Sequence, residues 1–147
     1  MSYDRVDWHY GNDYPDNLPP ENGGTHIGMF LAWAINNGLV GLLHLQNSGI
    51  SLEKVRKKQM TGREFLLEEC DEKFWDEDLN EEGNAFAKSY YEPYVYFSDY
   101  EKTFDKYPTL YHVEDTWENY EKIAQVITSR YRKWKSSSEK MWWQFWK

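Results

Sequence analysis

The residue types best suited to chemistry lie near the amino terminus of this 147-residue chain. Carboxylates and imidazoles occur together there, at Asp4, Asp7, His9, Asp13, Glu21 and His26. Such groups can bind a metal ion or exchange a proton with a substrate. Their spacing matches neither H-E-x-x-H nor a calcium-binding loop, so turn capping and backbone hydrogen bonds are the favoured interpretation. A metal-assisted hydrolase that uses His9, Asp13 and His26 is the alternative.

Nucleophilic catalysis and phosphate binding have less support. The chain contains a single cysteine, Cys70, which lies in an acidic stretch that would raise the pKa of its thiol, so we expect a structural, half-buried residue. One cysteine also excludes an internal disulfide and a cysteine-based zinc cage. No G-x-S-x-G motif is present, and no lysine follows Gly23 and Gly24, which we interpret as a turn. The sequence therefore predicts neither catalytic residues nor a cofactor.

The acidic residues are concentrated in one part of the chain. The net charge is −8, and residues 64–82 alone carry ten acidic side chains and one lysine, a charge of −9. Residues 122–147 are basic, with seven Lys or Arg and one Glu. Dense negative charge beside aromatic rings favours a docking surface for a basic protein, although a solvated helix face is the simpler alternative. The predicted partner-binding residues are Glu68, Glu69, Asp71, Glu72, Phe74, Trp75, Asp76, Glu77, Asp78, Glu81 and Glu82.

The elements that must position these residues are predicted to be mainly α-helical. Residues 1–24 are rich in turn signals and predict an irregular arm, in which Trp8, Tyr10 and Tyr14 provide rings to bury. Thr25 is expected to cap an all-apolar, central helix that ends at Gly38. Further helices are predicted from Ser51, from about residue 62 after a Thr61–Glu64 capping box, and over residues 80–92.

The carboxyl-terminal third is predicted to hold the longest helix. Residues 94–97 predict a short strand or an extended crossing, and Ser98 is expected to cap a short helix. Asp115 is expected to cap a helix of about 19 residues that the serines at 136–138 end, before a Trp-rich tail at 139–147. We expect this tail to pack on the domain or on a partner, and docking through it is a further alternative function. In total we expect five or six helices in one domain spanning residues 1–147, with at most a short strand.

Composition limits the class of protein. Aromatic residues make up 18 % of the chain, which disfavours disorder. No apolar run is long enough for a membrane span, and the polar, acidic amino terminus differs from a signal peptide, so a cytoplasmic protein is expected. The acidic balance argues against direct nucleic-acid binding.

Several segments together resemble a known family. These are YDRVDWHYG at 3–11, DYP at 13–15, LPPE at 18–21, THIGMFLAWA at 25–34, DLNEEGNAFA at 78–87 and LYHVEDTW at 110–117. They resemble an uncharacterised bacterial family, a domain of unknown function, and small acidic proteins of this kind are similar to immunity proteins of polymorphic toxin and type VI secretion systems. The resemblance implies a non-catalytic protein that neutralises a cognate toxin effector by occlusion, and it supplies no functional residues. A toxin that targets nucleic acid would carry a basic cleft, which the acidic window at 64–82 complements.

Overall fold

A helix that is buried along almost its whole length, α2 (Thr25–Asn36), lies at the centre of the fold. The computed structural model describes residues 1–11 and 13–146, with side chains through residue 138. As predicted, α2 is surrounded by other elements because it is apolar on every side, and Gly38 follows it in the left-handed conformation with a φ of 69°. Its N-cap is Gly24 rather than Thr25, whose buried hydroxyl instead accepts a hydrogen bond from Arg63.

The described residues contain eight α-helices, three short 3₁₀ helices and two strands. In chain order they are β1 (Ser2–Arg5), α1 (Val6–His9), a 3₁₀ helix (Pro20–Gly24), α2, α3 (Leu42–Asn47), α4 (Gly49–Arg56), α5 (Gly62–Glu69), β2 (Lys73–Trp75), a 3₁₀ helix (Asp76–Asp78), α6 (Glu81–Tyr90), α7 (Val95–Thr103), a 3₁₀ helix (Leu110–His112) and α8 (Trp117–Trp146). The predicted mainly helical class is confirmed. The helix count exceeds five or six because the short helices α1 and α3 leave little periodic signal in the sequence.

The amino-terminal arm is more regular than predicted. Its first residues form β1, which pairs antiparallel with β2 so that Asp4 faces Phe74 and Arg5 faces Lys73. The backbone of β1 pairs with a strand some 70 positions along the chain. Local turn signals do not predict such a pairing. Tyr14 is buried as expected, but Trp8 and Tyr10 are more than half exposed.

Residues 94–97 form neither a strand nor an extended crossing. Tyr94 takes the left-handed conformation with a φ of 67°, and α7 begins at the next residue rather than at Ser98. The helix places Tyr96 and Tyr100, four residues apart, on one face that is fully buried against α2. Burial of this aromatic stripe outweighs the strand propensity of the individual residues.

The final helix differs from the prediction at both ends. Thr116 is the residue that caps it, because its hydroxyl accepts the Asn119 amide hydrogen, whereas the Asp115 carboxylate is bound to Thr61 and Arg63. The helix continues through the three serines at 136–138, since serine costs a helix far less than proline or glycine. The predicted packing of the Trp-rich tail at 139–147 falls outside the side chains that the structure describes.

A close crossing of α2 and α5 fixes the start of the acidic window. Gly28 and Gly62 meet there, and a Cβ atom on either residue would collide with backbone atoms of the other helix. The predicted capping box at the start of α5 is present, with the Thr61 hydroxyl accepting from the Glu64 amide and the Glu64 carboxylate accepting from the Thr61 amide. This contact places the acidic end of α5 next to α3 and β2.

Candidate functional site

A buried cluster around Asp4 gathers several of the polar residues from the amino terminus. One carboxylate oxygen accepts from His9 Nε2 at 2.7 Å and from the Arg5 amide at 2.8 Å. The other accepts from His26 Nε2 at 3.1 Å and from the Tyr91 hydroxyl at 2.6 Å. Four donors therefore occupy the four acceptor positions of this carboxylate.

The electrostatics of this cluster follow from burial and hydrogen bonding. Burial alone would raise the pKa of Asp4, but hydrogen bonds from His26 and His9 hold that pKa well below its usual value. Burial lowers the pKa of His26, and the Asp4 carboxylate opposes this effect only in part. The second ring nitrogen of His9 accepts from the Tyr111 hydroxyl at 2.8 Å, and His26 Nδ1 has no partner among the described residues. The cluster thus joins β1, α1, α2 and the end of α6 through a carboxylate whose acceptor positions are all occupied.

The predicted trio of His9, Asp13 and His26 is not assembled. His9 and His26 do lie together, with ring centroids 4.6 Å apart, but Asp13 is exposed and Asp4 takes the place between the imidazoles. Asp7 is paired with Arg5 at the surface, and Glu21 is exposed. Asp4 lies in the strand β1, so the pairing of β1 with β2, rather than any spacing motif, brings it to the histidines.

A second cluster, which the sequence does not predict, contains His44, Cys70 and Asp78. His44 Nε2 lies 2.7 Å from Asp78 Oδ1 and 3.7 Å from Cys70 Sγ, and all three residues are buried. Asp78 and Cys70 address the same ring nitrogen, whereas a nucleophilic triad requires opposite nitrogens of the imidazole. Burial, reinforced by the charges of Asp78 and Glu69, raises the pKa of the Cys70 thiol, which disfavours an activated nucleophile. The structural role predicted for Cys70 agrees with this burial.

Above this cluster lies a groove of about 270 Å³ that combines apolar and acidic side chains. We call it the acidic–apolar groove and define it by its lining residues, which are Leu43, Glu69, Cys70, Asp71, Lys73, Trp75, Glu77 and Asp78. Leu43 and Trp75 are 42 % and 38 % exposed, and four acidic residues outnumber one lysine. Leu42, Leu45 and Ile50 are each more than half exposed on the adjoining helices α3 and α4. Exposed apolar side chains grouped beside a groove favour an interaction site.

The structure corrects part of the predicted partner-binding set. Phe74 is completely buried against Tyr3, Phe30 and Tyr91, so it belongs to the core and provides no anchor. Asp78 is also buried, because its carboxylate accepts from His44 and from the Trp75 amide. The β-strand alternation of β2 explains the difference, since neighbouring residues of a strand face opposite sides.

Other members of that set take part in local contacts. Glu69 accepts from Ser51 at 2.6 Å, Asp76 is paired with the Met1 amino group at 3.2 Å, and Glu82 is paired with Lys135 at 3.5 Å. Five members are more exposed acidic residues, namely Glu68, Asp71, Glu72, Glu77 and Glu81, of which Asp71 is paired with Lys73 at 3.6 Å. Sequence reasoning missed Leu42, Leu43, Leu45 and Ile50, although the apolar run at 39–45 was the available signal.

The fold and the groove together define the class, a helical domain that keeps its histidine–carboxylate clusters inside and exposes an acidic–apolar groove. Residues 2–113 match the family described as a domain of unknown function, DUF7832, and the chain belongs to that family. Membership of an uncharacterised family is thereby confirmed. Comparisons with curated proteins and with solved structures give no match. Among the described residues, no helix combines the length and apolar character needed to cross a membrane.

Proposed function

We propose that this chain is a non-catalytic binding protein that docks a basic partner protein in the acidic–apolar groove. Following the resemblance to immunity proteins, the partner is a cognate toxin effector, which the chain neutralises by occlusion. The observation that carries this proposal is the exposure of Leu43 and Trp75 beside Asp71 and Glu77 in one groove.

The two kinds of side chain supply different parts of binding. The acidic residues create a negative field that accelerates encounter with a positively charged surface. Leu43 and Trp75 then lose water on contact, and an aromatic ring in such a position commonly dominates affinity. A toxin that cleaves nucleic acid must hold phosphates in a basic cleft, so a groove of opposite charge with apolar anchors suits its occlusion.

The alternative hydrolase has weaker support. Its predicted trio lacks Asp13, and the Asp4 carboxylate that replaces it already accepts four hydrogen bonds. A substrate or metal would have to displace two buried imidazole donors before it reached this oxygen pair. We therefore propose the binding role alone.

The test uses the product of the neighbouring reading frame as the partner. If this product is the toxin, its expression alone should arrest growth. We expect co-expression with this chain to relieve that arrest, and we expect the two proteins to copurify. The variant Asp71→Lys/Glu77→Lys should slow association about 10-fold at low ionic strength, because it replaces attraction by repulsion at the groove.

The matched control is Glu101→Lys/Asp105→Lys, which makes the same change of net charge at exposed positions on and after α7. It should leave the association rate close to that of the unaltered chain. Equal slowing in both double variants would indicate only a net-charge effect and reject the groove. Full protection and unchanged kinetics in the groove variant would do the same.

A further inference from the structure

The second buried cluster has an unusual hydrogen-bond arrangement. Nδ1 of His44 lies 3.1 Å from the Ser48 hydroxyl, which itself donates to Glu69 at 3.4 Å. In the His44 tautomer with its hydrogen on Nδ1, the Ser48 hydroxyl accepts that hydrogen and the Nε2 lone pair is available to a ligand. Nε2 lies 2.7 Å from Asp78 Oδ1, a hydrogen-bond distance at which the metal-free chain holds a proton between the two atoms. A metal ion that displaces this proton would meet both atoms.

The donor atoms also have the chemistry and spacing of a metal site. An imidazole nitrogen, a thiol sulfur and a carboxylate oxygen lie within 4.8 Å of one another. Tetrahedral zinc bonds imply separations of about 3.6 Å between nitrogen and sulfur and about 3.3 Å between nitrogen and oxygen. The observed 3.7 Å between His44 Nε2 and Cys70 Sγ fits, and the Asp78 oxygen needs to withdraw by about half an ångström.

The surroundings supply the two further parts that such a site requires. The contact from His44 through Ser48 to Glu69 is the outer hydrogen-bond relay that orients metal-binding imidazoles. The acidic–apolar groove reaches Cys70 and Asp78, so it gives an ion an entry path and leaves room for a fourth ligand. The Asp4 cluster differs in both respects, because its carboxylate is saturated and none of its three members lines the groove.

We propose that His44 Nε2, Cys70 Sγ and an Asp78 carboxylate oxygen bind one thiophilic divalent transition metal, of which zinc is the type, at the floor of the acidic–apolar groove. The ion connects α3, the residue after α5 and the 3₁₀ helix Asp76–Asp78. Because Leu43 and Trp75 are carried by α3 and β2, the ion also fixes the two walls of the groove. This site is independent of the proposed partner, since its ligands all belong to one chain.

The experiment is a titration of the metal-free full chain with Co²⁺, followed by displacement with Zn²⁺. We expect one equivalent of Co²⁺ to produce the absorption of a cobalt–thiolate bond and the visible bands of tetrahedral cobalt. Cys70→Ser should abolish the thiolate absorption, and His44→Gln should weaken binding at least about 100-fold, since even the loss of an outer-shell contact costs 10- to 100-fold. Zn²⁺ should raise the melting temperature of the unaltered chain and not that of Cys70→Ser.

Two histidine variants serve as controls. His112→Gln changes a half-exposed histidine on the last 3₁₀ helix, and His9→Gln changes the Asp4 cluster. Both should bind cobalt with the affinity of the unaltered chain. Absence of a stoichiometric thiolate absorption in the unaltered chain would overturn the proposal, as would undiminished binding in His44→Gln or loss of binding in His9→Gln. Circular dichroism of each variant separates a lost ligand from a lost fold. No partner protein is present, so the result is independent of the test of the binding function.

Discussion

The two buried histidine–carboxylate clusters are built from similar residues and differ in how completely their carboxylate is satisfied. Asp4 accepts from two imidazoles, one phenol and one backbone amide, so all four of its acceptor positions are occupied. Asp78 accepts from one amide and from His44 Nε2, which also lies beside the Cys70 thiol, beneath an open groove. A saturated buried carboxylate stabilises a fold, whereas an unsaturated one beside a soft donor is available to a ligand.

The two clusters also lie in different parts of the fold. The Asp4 cluster attaches β1 and α1 to the central helix α2. These ordered hydrogen bonds lie where the sequence predicted an irregular amino-terminal arm. The cluster of His44, Cys70 and Asp78 lies under the surface that carries the exposed leucines and Trp75.

The largest expected effect is the loss of stability when the Asp4 cluster loses its acceptor carboxylate. Asp4→Ala should lower the free energy of unfolding by about 3–5 kcal/mol, because two buried imidazole donors and the Tyr91 hydroxyl lose their partner. Urea unfolding followed by tryptophan fluorescence measures this change. Asp13→Ala is the matched control at an exposed aspartate, and we expect it to stay within about 0.5 kcal/mol of the unaltered chain.

A loss below about 1 kcal/mol in Asp4→Ala would remove the distinction between the clusters, since a typical single hydrogen bond accounts for that much. Asp13 would then again be a candidate functional residue of the amino-terminal arm.

A smaller effect is expected from acidification. Burial lowers the pKa of His26, and hydrogen bonds from His26 and His9 hold the pKa of Asp4 low despite its burial, so the unfolded chain binds more protons than the folded chain. The free energy of unfolding should therefore fall as the pH drops below about 6.5, by about 1.4 kcal/mol per pH unit for His26 until its folded-state pKa is reached. A second fall, from Asp4, should begin below about pH 4.

Unfolding curves between pH 7.5 and 5 isolate the contribution of His26. Burial raises the pKa of Asp115, so protonation of this residue at lower pH increases the free energy of unfolding. This increase opposes the decrease that Asp4 causes. A free energy of unfolding that stays constant or rises from pH 7 to pH 5 would contradict the assignment of a neutral, buried His26.

The smallest effect on stability is expected at the groove itself. Trp75→Ala should lower the free energy of unfolding by clearly less than the neighbouring core variant, because the side chain keeps 38 % of its surface exposed, yet it should weaken partner binding by about 2 kcal/mol, or roughly 30-fold. Phe74→Ala, the neighbouring residue on the opposite face of β2, should instead cost about 3–5 kcal/mol of stability. Similar losses of stability in the two variants would show that Trp75 belongs to the core.

The sequence predicts the local elements well and the assembled sites poorly. The apolar character of α2, the Thr61–Glu64 capping box and the Tyr120–Ile127–Tyr131 side of α8 are encoded within a few residues, and the structure contains all three. The Asp4 cluster joins residues up to 87 positions apart, and His44 meets Asp78 across 34 positions. Such contacts depend on how β1 pairs with β2 and how α3 packs on the Asp76–Asp78 turn, which periodicity does not determine.

The acidic window shows the same limit at the level of single residues. Its charge is evident from composition, but the alternation of β2 buries Phe74 and exposes Trp75, and hydrogen bonding withdraws Asp78 from the surface. One apolar wall of the groove comes from Leu43 on α3, a helix that was not predicted although it carries three leucines of the run at 39–45.

Amide hydrogen exchange of this chain, measured with and without the product of the neighbouring reading frame, tests the central claim most directly. If the acidic–apolar groove is the docking surface, the partner should slow exchange over residues 42–50 and 68–77 and leave residues 7–22 unchanged. Slowed exchange at 7–22, where Trp8 and Tyr10 are exposed, together with no change at the groove, would contradict the account.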